Sequence, residues 1–265
     1  MKSFGFYEPT SVRKAVGIAE DHPDGKYIAG GQTLLAAMKL RLAAPSDLID
    51  LNSVPELKKI EVDGSNVVVG AMARHAEVAG SKDVAGKIRA LADLAGMIGD
   101  RQVRNRGTLG GSIANNDPAS DYPAAVLGLG ATVVTDKRKI AADDFFKGLF
   151  TTALNANEII TAVSFPVPKK AAYMKFRNPA SRFAIVGVFV AQTASGVRVA
   201  VTGAGNRGVF RVKAMEEALG KSFTADAIKS IAVPAAQLSS DIHASAEYRS
   251  HLISVMAQRA VAAAG

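Results

Sequence analysis

The 265-residue chain contains no cysteine, which excludes disulfides, thiolate catalysis and any Cys-ligated zinc or iron–sulfur centre among its own residues. Hydrophobic residues make up 48 % and charged residues 21 %, ordinary values for a globular protein, and no apolar run reaches the roughly 18 residues of a membrane helix. The net charge of +8 is spread along a chain that lacks Trp and is poor in aromatics, the wrong texture for a nucleic-acid interface. The four His are scattered at 22, 75, 243 and 251 without metal-ligand spacing, so no metal site is expected. The N-terminus has no apolar signal region, and a cytoplasmic location is the expectation.

In chain order, "KYIAGGQTLLAAMKLRLAAPSDLIDLN" reads as strand, Gly turn, helix, strand. Thr33 is placed to cap the helix, whose apolar face is Leu34, Leu35, Met38 and Leu42. "LKKIEVDGSNVVVGA" reads as a hairpin around Asp63-Gly64. "KIRALADLAGMIG" reads as a helix with Ile88, Leu91, Leu94 and Ala95 inward. His75 in "MARHAEV" opens a helical pattern and reads as structural.

The stretch "RNRGTLGGSIANNDPASDYPA" reads as too polar for a core strand and too Gly-rich for a helix. "DYPAAVLGLGA" then reads as a buried helix, "TVVTDKRKIAA" as a hairpin and "NEIITAVSFPVP" as a strand. Pro166, Pro168, Lys169 and Lys170 mark a boundary. Beyond it, "AAYMKFRN", "FAIVGVFVAQT" and "GVRVAVTG" read as three antiparallel strands, followed by helical patterns at 211–219, 224–232 and 247–264. The whole is α+β, in two domains at 1–168 and 169–265.

Two segments offer bare backbone beside a helix: "AGGQT" at 29–33 and "TLGGS" at 108–112. Glycine lets main chain approach a ligand closely, and successive N–H groups form an anion nest. Two such loops suit a diphosphate; two tight turns are the plain alternative. "GAGNRG" at 203–208 matches a dinucleotide fingerprint literally, but it follows the second arm of a hairpin. The fingerprint needs a parallel βαβ unit, so this segment reads as a strand–turn–helix connection.

Together, "IAGGQTLLAAMKLRLAAPSDLIDLN" and "IGDRQVRNRGTLGGSIANNDPASDYPAA" resemble the FAD-binding medium subunit of molybdenum hydroxylases, the carbon monoxide dehydrogenase and xanthine dehydrogenase family. The resemblance covers nearly the whole chain. It implies a two-part FAD-binding domain of the vanillyl-alcohol-oxidase (PCMH) type over residues 1–168. A small C-terminal domain with a three-stranded antiparallel sheet and helices follows over 169–265. It implies noncovalent FAD held by Ala29, Gly30, Gly31, Gln32, Thr33, Ile98, Gly99, Thr108, Leu109, Gly110, Gly111, Ser112, Asp121, Ile160 and Lys175.

Asp121 matches the family's cofactor-binding carboxylate, but by its sequence context it reads equally as a helix cap. Ile98 and Ile160 read equally as core, and Lys175 as a surface strand residue. Arg101, Arg104 and Arg106 read as facing solvent or a partner. Phe183 stands where some relatives place a Tyr. The resemblance implies an electron-transfer role without catalytic residues of its own. The partners are a large molybdopterin-binding subunit and a small subunit with 2Fe-2S clusters, as a dimer of heterotrimers. A free-standing FAD-dependent oxidoreductase of the same fold is the alternative, and a partner-binding module using the basic surface is a third reading.

Overall fold

A computed structural model describes residues 1–265. The first module is a parallel sheet of β1 (Gly5–Tyr7), β2 (Lys26–Ile28) and β3 (Asp47–Asp50) in the order β1-β3-β2. Helix α1 (Val12–Asp21) packs Ala15 and Ala19 against Ile49 on one face. Helix α2 (Leu34–Lys39) packs Met38 against Ile28 and Leu48 on the other. Period-2 alternation in β3 sends Leu48 and Ile49 to opposite faces, so both must be covered.

Here α2 is shorter than its pattern predicts. Arg41 turns left-handed with φ 62°, and Leu42 lies outside the helix at 79 % exposure. Thr33 precedes α2, but its side chain makes no capping bond.

The second module is an antiparallel sheet of β4 (Ile60–Asp63), β5 (Asn66–Gly70), β6 (Thr132–Thr135), β7 (Lys139–Ala141) and β10 (Ile160–Pro166). Its order is β4-β5-β10-β6-β7. Between β5 and β6 run α3 (His75–Gly80), α4 (Lys82–Lys87), α5 (Arg89–Gly96), α6 (Arg101–Arg104), α7 (Leu109–Asn115) and α8 (Tyr122–Leu129). The short α9 (Ala142–Phe145) and the two-stranded β8 (Phe146–Gly148) and β9 (Thr151–Thr152) lead back to β10.

The existence of α7 corrects the expectation that this stretch is too Gly-rich for a helix. Thr108 caps it, its Oγ1 accepting from the Gly111 N–H at 3.1 Å. Leu109 and Ile113 are fully buried. Tertiary packing thus overrides the low propensity of two glycines, which costs about 1 kcal/mol each relative to Ala.

The C-terminal domain is an antiparallel sheet of β11 (Lys170–Arg177), β12 (Ala184–Thr193), β13 (Gly196–Thr202) and β14 (Phe210–Arg211), in sequential order. It has four strands, not three, because Phe210-Arg211 pairs with β13 before α10 (Lys213–Lys221) begins. The pattern at 224–232 gives only a 3-10 turn at Ala225–Ile228, and α11 (Ala246–Ala264) closes the chain. The "GAGNRG" segment does follow an antiparallel strand, as its context predicts.

One face of this sheet packs on α10 and α11 through Val186, Val188 and Val190. The other sends Phe189 and Ala191 into the core that contains α8. Burial on both faces explains the uninterrupted apolar run of β12. Every residue of α8 is buried between the two sheets. Phe189 sits at 0 % exposure at that junction. Phe189→Ala is expected to lower the unfolding free energy by about 3–5 kcal/mol, measured by urea denaturation.

Candidate functional site

A cavity of about 620 Å³ opens where the modules meet. The parallel module supplies Tyr27, Ala29, Gly30, Gly31, Gln32 and Thr33 to its wall. The antiparallel module supplies Met72, His75, Ile98, Thr108, Gly110, Gly111, Ser112, Asp117, Ser120, Phe150, Glu158 and Ile160, among others. The C-terminal domain reaches in only with Phe183.

The first loop is an open cradle. β2 ends at Ile28, and Gly31 takes φ 74° to turn the chain into α2. The backbone N–H groups of Gly30, Gly31, Gln32 and Thr33 find no acceptor within the chain. Asn52 Nδ2 holds the loop from behind, donating to the Ala29 carbonyl at 3.1 Å. Consecutive free donors on a ligand-sized cavity constitute an anion nest.

The second loop differs. Leu109 N–H donates to Ala73 O at 3.0 Å, Gly110 N–H to Ala71 O at 2.7 Å, and Ser112 N–H to Thr108 O at 3.1 Å. Those backbone donors are therefore engaged, and what the loop offers a ligand is closeness and the Thr108 and Ser112 hydroxyls. A Cβ on Gly110 would stand 2.6 Å from Ala71 Cβ, and one on Gly30 would stand 2.3 Å from Arg106 O and 2.7 Å from Gly107 Cα. The first loop thus touches the backbone just ahead of the second.

Polar groups of the Asn/Asp-rich stretch shape the remaining wall. Asn116 Nδ2 donates to Gly148 O at 2.7 Å and Thr151 O at 2.8 Å, and its carbonyl accepts from the Phe150 N–H. This holds Phe150 left-handed, φ 54°, at the cavity mouth with 60 % of its surface exposed. Asp117 Oδ1 accepts from Ala119 N–H at 2.9 Å. Glu158 is clamped by Arg138 at 2.9 and 3.0 Å and by Thr135 at 2.8 Å. Those bonds, Arg138 first, hold its carboxyl down to about 2.

The arrangement is a dinucleotide-shaped one: free donors for a diphosphate, an apolar wall of Ile98, Ile159 and Ile160, and aromatic side chains at the mouth. Residues 2–168 match the family described as the FAD binding domain in molybdopterin dehydrogenase, and residues 171–264 match the CO dehydrogenase flavoprotein C-terminal domain. The chain belongs to this family.

It is 35 % identical over 277 residues to the carbon monoxide dehydrogenase medium chain of Hydrogenophaga pseudoflava, covering 98 % of this chain and 96 % of that one. It is 37 % identical over 274 residues to the nicotine 6-hydroxylase medium subunit of Paenarthrobacter nicotinovorans, with the same coverage. A solved carbon monoxide dehydrogenase from Hydrogenophaga pseudoflava, lacking the Mo-pyranopterin moiety of its molybdenum cofactor, superposes with a TM-score of 0.90 at 36 % identity, covering 99 % of this chain and 97 % of that one.

Of the site residues expected for this flavoprotein subunit, Ala29, Gly30, Gly31, Gln32, Thr33, Ile98, Thr108, Gly110, Gly111, Ser112 and Ile160 line the cavity. Gly99, Leu109, Asp121 and Lys175 do not. Gly99 makes the left-handed turn behind Ile98, φ 51°, and both carbonyls accept from Arg104 Nη1. Arg104 thus faces its own backbone rather than solvent. Leu109 is buried on the far side of α7.

Asp121 and Lys175 are given to each other. Lys175 Nζ reaches Asp121 Oδ2 at 2.9 Å and Met97 O at 3.2 Å, and Tyr173 Oη donates to Asp121 Oδ1 at 2.5 Å. Both charged side chains are 2–3 % exposed. Burial pushes the Asp121 carboxyl up, against Lys175 and Tyr173, which pull it down. As a cap for α8 its side chain does nothing. Within this motif the carboxylate that lines the cavity is Asp117, four residues earlier. Tyr27, His75, Phe150 and Glu158 also escaped the sequence reading.

Lys175→Met is expected to cost about 3–5 kcal/mol, because it strands a buried carboxylate. Asp121→Asn with Lys175→Met should recover much of that loss in the same urea titration.

His75 is 4 % exposed, and burial, then the Arg104 charge, lowers its imidazole to about 4. An unfolded imidazole titrates near 6.5, so from there down to about pH 4 the unfolded chain binds a proton that the native chain refuses. Stability should fall over that window by up to about 3 kcal/mol. In His75→Leu, unfolding free energies measured across the same window should lose that component of the slope.

Proposed function

We propose that this flavoprotein subunit is the electron-transfer chain of a molybdenum hydroxylase. Electrons arrive from 2Fe-2S clusters on a small partner subunit and leave to an external acceptor, while substrate is oxidised at a molybdopterin centre on a large subunit. Residues 1–168 form the FAD-binding domain and residues 169–265 its C-terminal companion. Two such heterotrimers pair, in the cytoplasm. The clusters belong on another chain because no cysteine stands among these 265 residues to bind them. Bound FAD supplies the conversion of single-electron arrivals into a two-electron delivery.

The residues present fit that cofactor. In this reading the free N–H groups of Gly30 to Thr33 grip the diphosphate, and Thr108 and Ser112 add hydroxyls from the second loop. Ile98 and Ile160 give the ring apolar contact, while Phe150 and Phe183 shield the mouth from water. Asp121 and Lys175 are positioning residues: they brace the turn that carries Ile98 and hold the domains together.

The row of donors without an acceptor, on a cavity of this size, is the observation that carries the reading. Glu158, a carboxylate on the cavity, is locked by Arg138, which weighs against its use as a general acid or base in a free-standing oxidoreductase.

Purified chain should show a flavin absorption spectrum at unit stoichiometry and should co-purify with molybdenum and iron from its source. A Cβ on Gly111 would lie 2.8 Å from Thr108 Oγ1 and 3.3 Å from Ala29 Cβ. Gly111→Val should therefore abolish flavin retention and leave a folded chain by circular dichroism. Full occupancy in that variant would contradict the cradle assignment.

A further inference from the structure

His75 borders the cavity, is almost wholly buried, and has no hydrogen bond to the protein at either ring nitrogen. Its backbone is fixed, the N–H donating to Gly107 O at 2.9 Å as α3 begins. Nδ1 is sealed from solvent and unpartnered. The neighbouring Tyr122 ring lies 5.3 Å away, and its hydroxyl is also buried without a partner.

Nε2 lies against Gly107, the residue just before the second loop: a Cβ there would stand 2.5 Å from it, so only glycine leaves room for the ring edge. Gly107 in turn lies close to Gly30, whose own Cβ position is 2.7 Å from Gly107 Cα. Nε2, unlike Nδ1, is not sealed off, and no group of the chain bonds to it. A polar side chain kept almost wholly buried without a protein partner points to a ligand contact.

We propose that His75 is a further cofactor-binding residue, donating Nε2–H to the diphosphate held by the Gly30–Thr33 cradle. This rests on the FAD reading above. The imidazole acts as a neutral donor beside Gly107.

The test titrates FAD into the full-length apo chain by fluorescence quenching, with wild type, His75→Leu, His75→Asn and His75→Gln. A hydrogen bond to a charged group sets the expected loss at about 10–100-fold in Kd for His75→Leu. His75→Asn, whose amide falls nearer the Nδ1 place, should lose as much. His75→Gln, whose amide reaches toward Nε2, should stay within about 3-fold of wild type. ADP, which has the diphosphate and no flavin ring, should show the same ordering.

Apo His75→Leu should melt at the wild-type temperature or above it, because it removes an unpaired buried polar group. Wild type that takes up no FAD overturns the flavin reading and this one together. Wild type that binds FAD beside a His75→Leu that binds it equally well overturns this one alone. So does a His75→Leu whose apo form melts lower while His75→Gln binds no better. Loss of FAD affinity without loss of ADP affinity overturns the diphosphate assignment.

Discussion

Two segments almost eighty residues apart can touch only because neither presents a side chain at the point of contact. Gly30 lies against the Arg106 carbonyl and the Gly107 Cα, at distances no Cβ would tolerate. That approach adds to the packing of Ala15, Ala19 and Ile49 on Leu57, Met72 and Ile159 and to the bonds of Asn157 with Tyr27 and Ala19, which together join the parallel module to the antiparallel one. Around the contact Asn52 holds Ala29 from behind, and α7 is tied to Ala71 and Ala73. The donors of Gly30 to Thr33 are left open on the cavity wall, available to a ligand.

The C-terminal domain contributes one lining residue and yet holds much of the wall. Thr202 Oγ1 donates to Ser120 O at 2.6 Å and Pro118 O at 3.1 Å, and Gly203 N–H donates to Pro118 O at 2.8 Å. Tyr173 and Lys175 grip Asp121, one residue further on. The segment that carries Asp117 and Ser120 into the cavity is thus pinned from the second domain at three successive points. Replacing the Asp121–Lys175 pair with apolar residues need not weaken the fold, since a buried ion pair roughly balances its own desolvation. What the pair adds is a single allowed register between the domains, with Met97 and the Ile98 turn drawn in through the same ammonium group.

Most of the scaffold was legible because its periodicities are simple. The alternation of β5 and β10, the all-apolar α8 and the doubly buried β12 each announce their surroundings. Failures came where local preference and tertiary context disagree. The glycines of α7 argue against a helix, and only the Thr108 cap and the bed of Ala71 make one there. Leu42 continues the period of α2, but Arg41 breaks it, and β14 is too short to signal a strand. Helix α1 went unread, its core face being the small residues Ala15 and Ala19. In the site, the loops that line the cavity were legible as paired glycines and hydroxyls. The engagement of Asp121 by Tyr173 and Lys175 was not, because it depends on contacts from another domain.

Backbone strain follows the same map. Five non-glycine residues have positive φ: Arg41, Asn116, Phe150, Asn157 and Arg182. Phe150 lines the cavity, Asn116 lies between two lining residues, Asn157 precedes Glu158 and Arg182 precedes Phe183. Only Arg41 lies apart. Left-handed backbone costs about 1–2 kcal/mol for a residue with a Cβ, least for Asn. A fold selected for stability alone would scatter such residues or replace them with glycine. Four of the five thus lie on or beside the wall of one cavity, which is where a fold most often keeps strained backbone for a binding role.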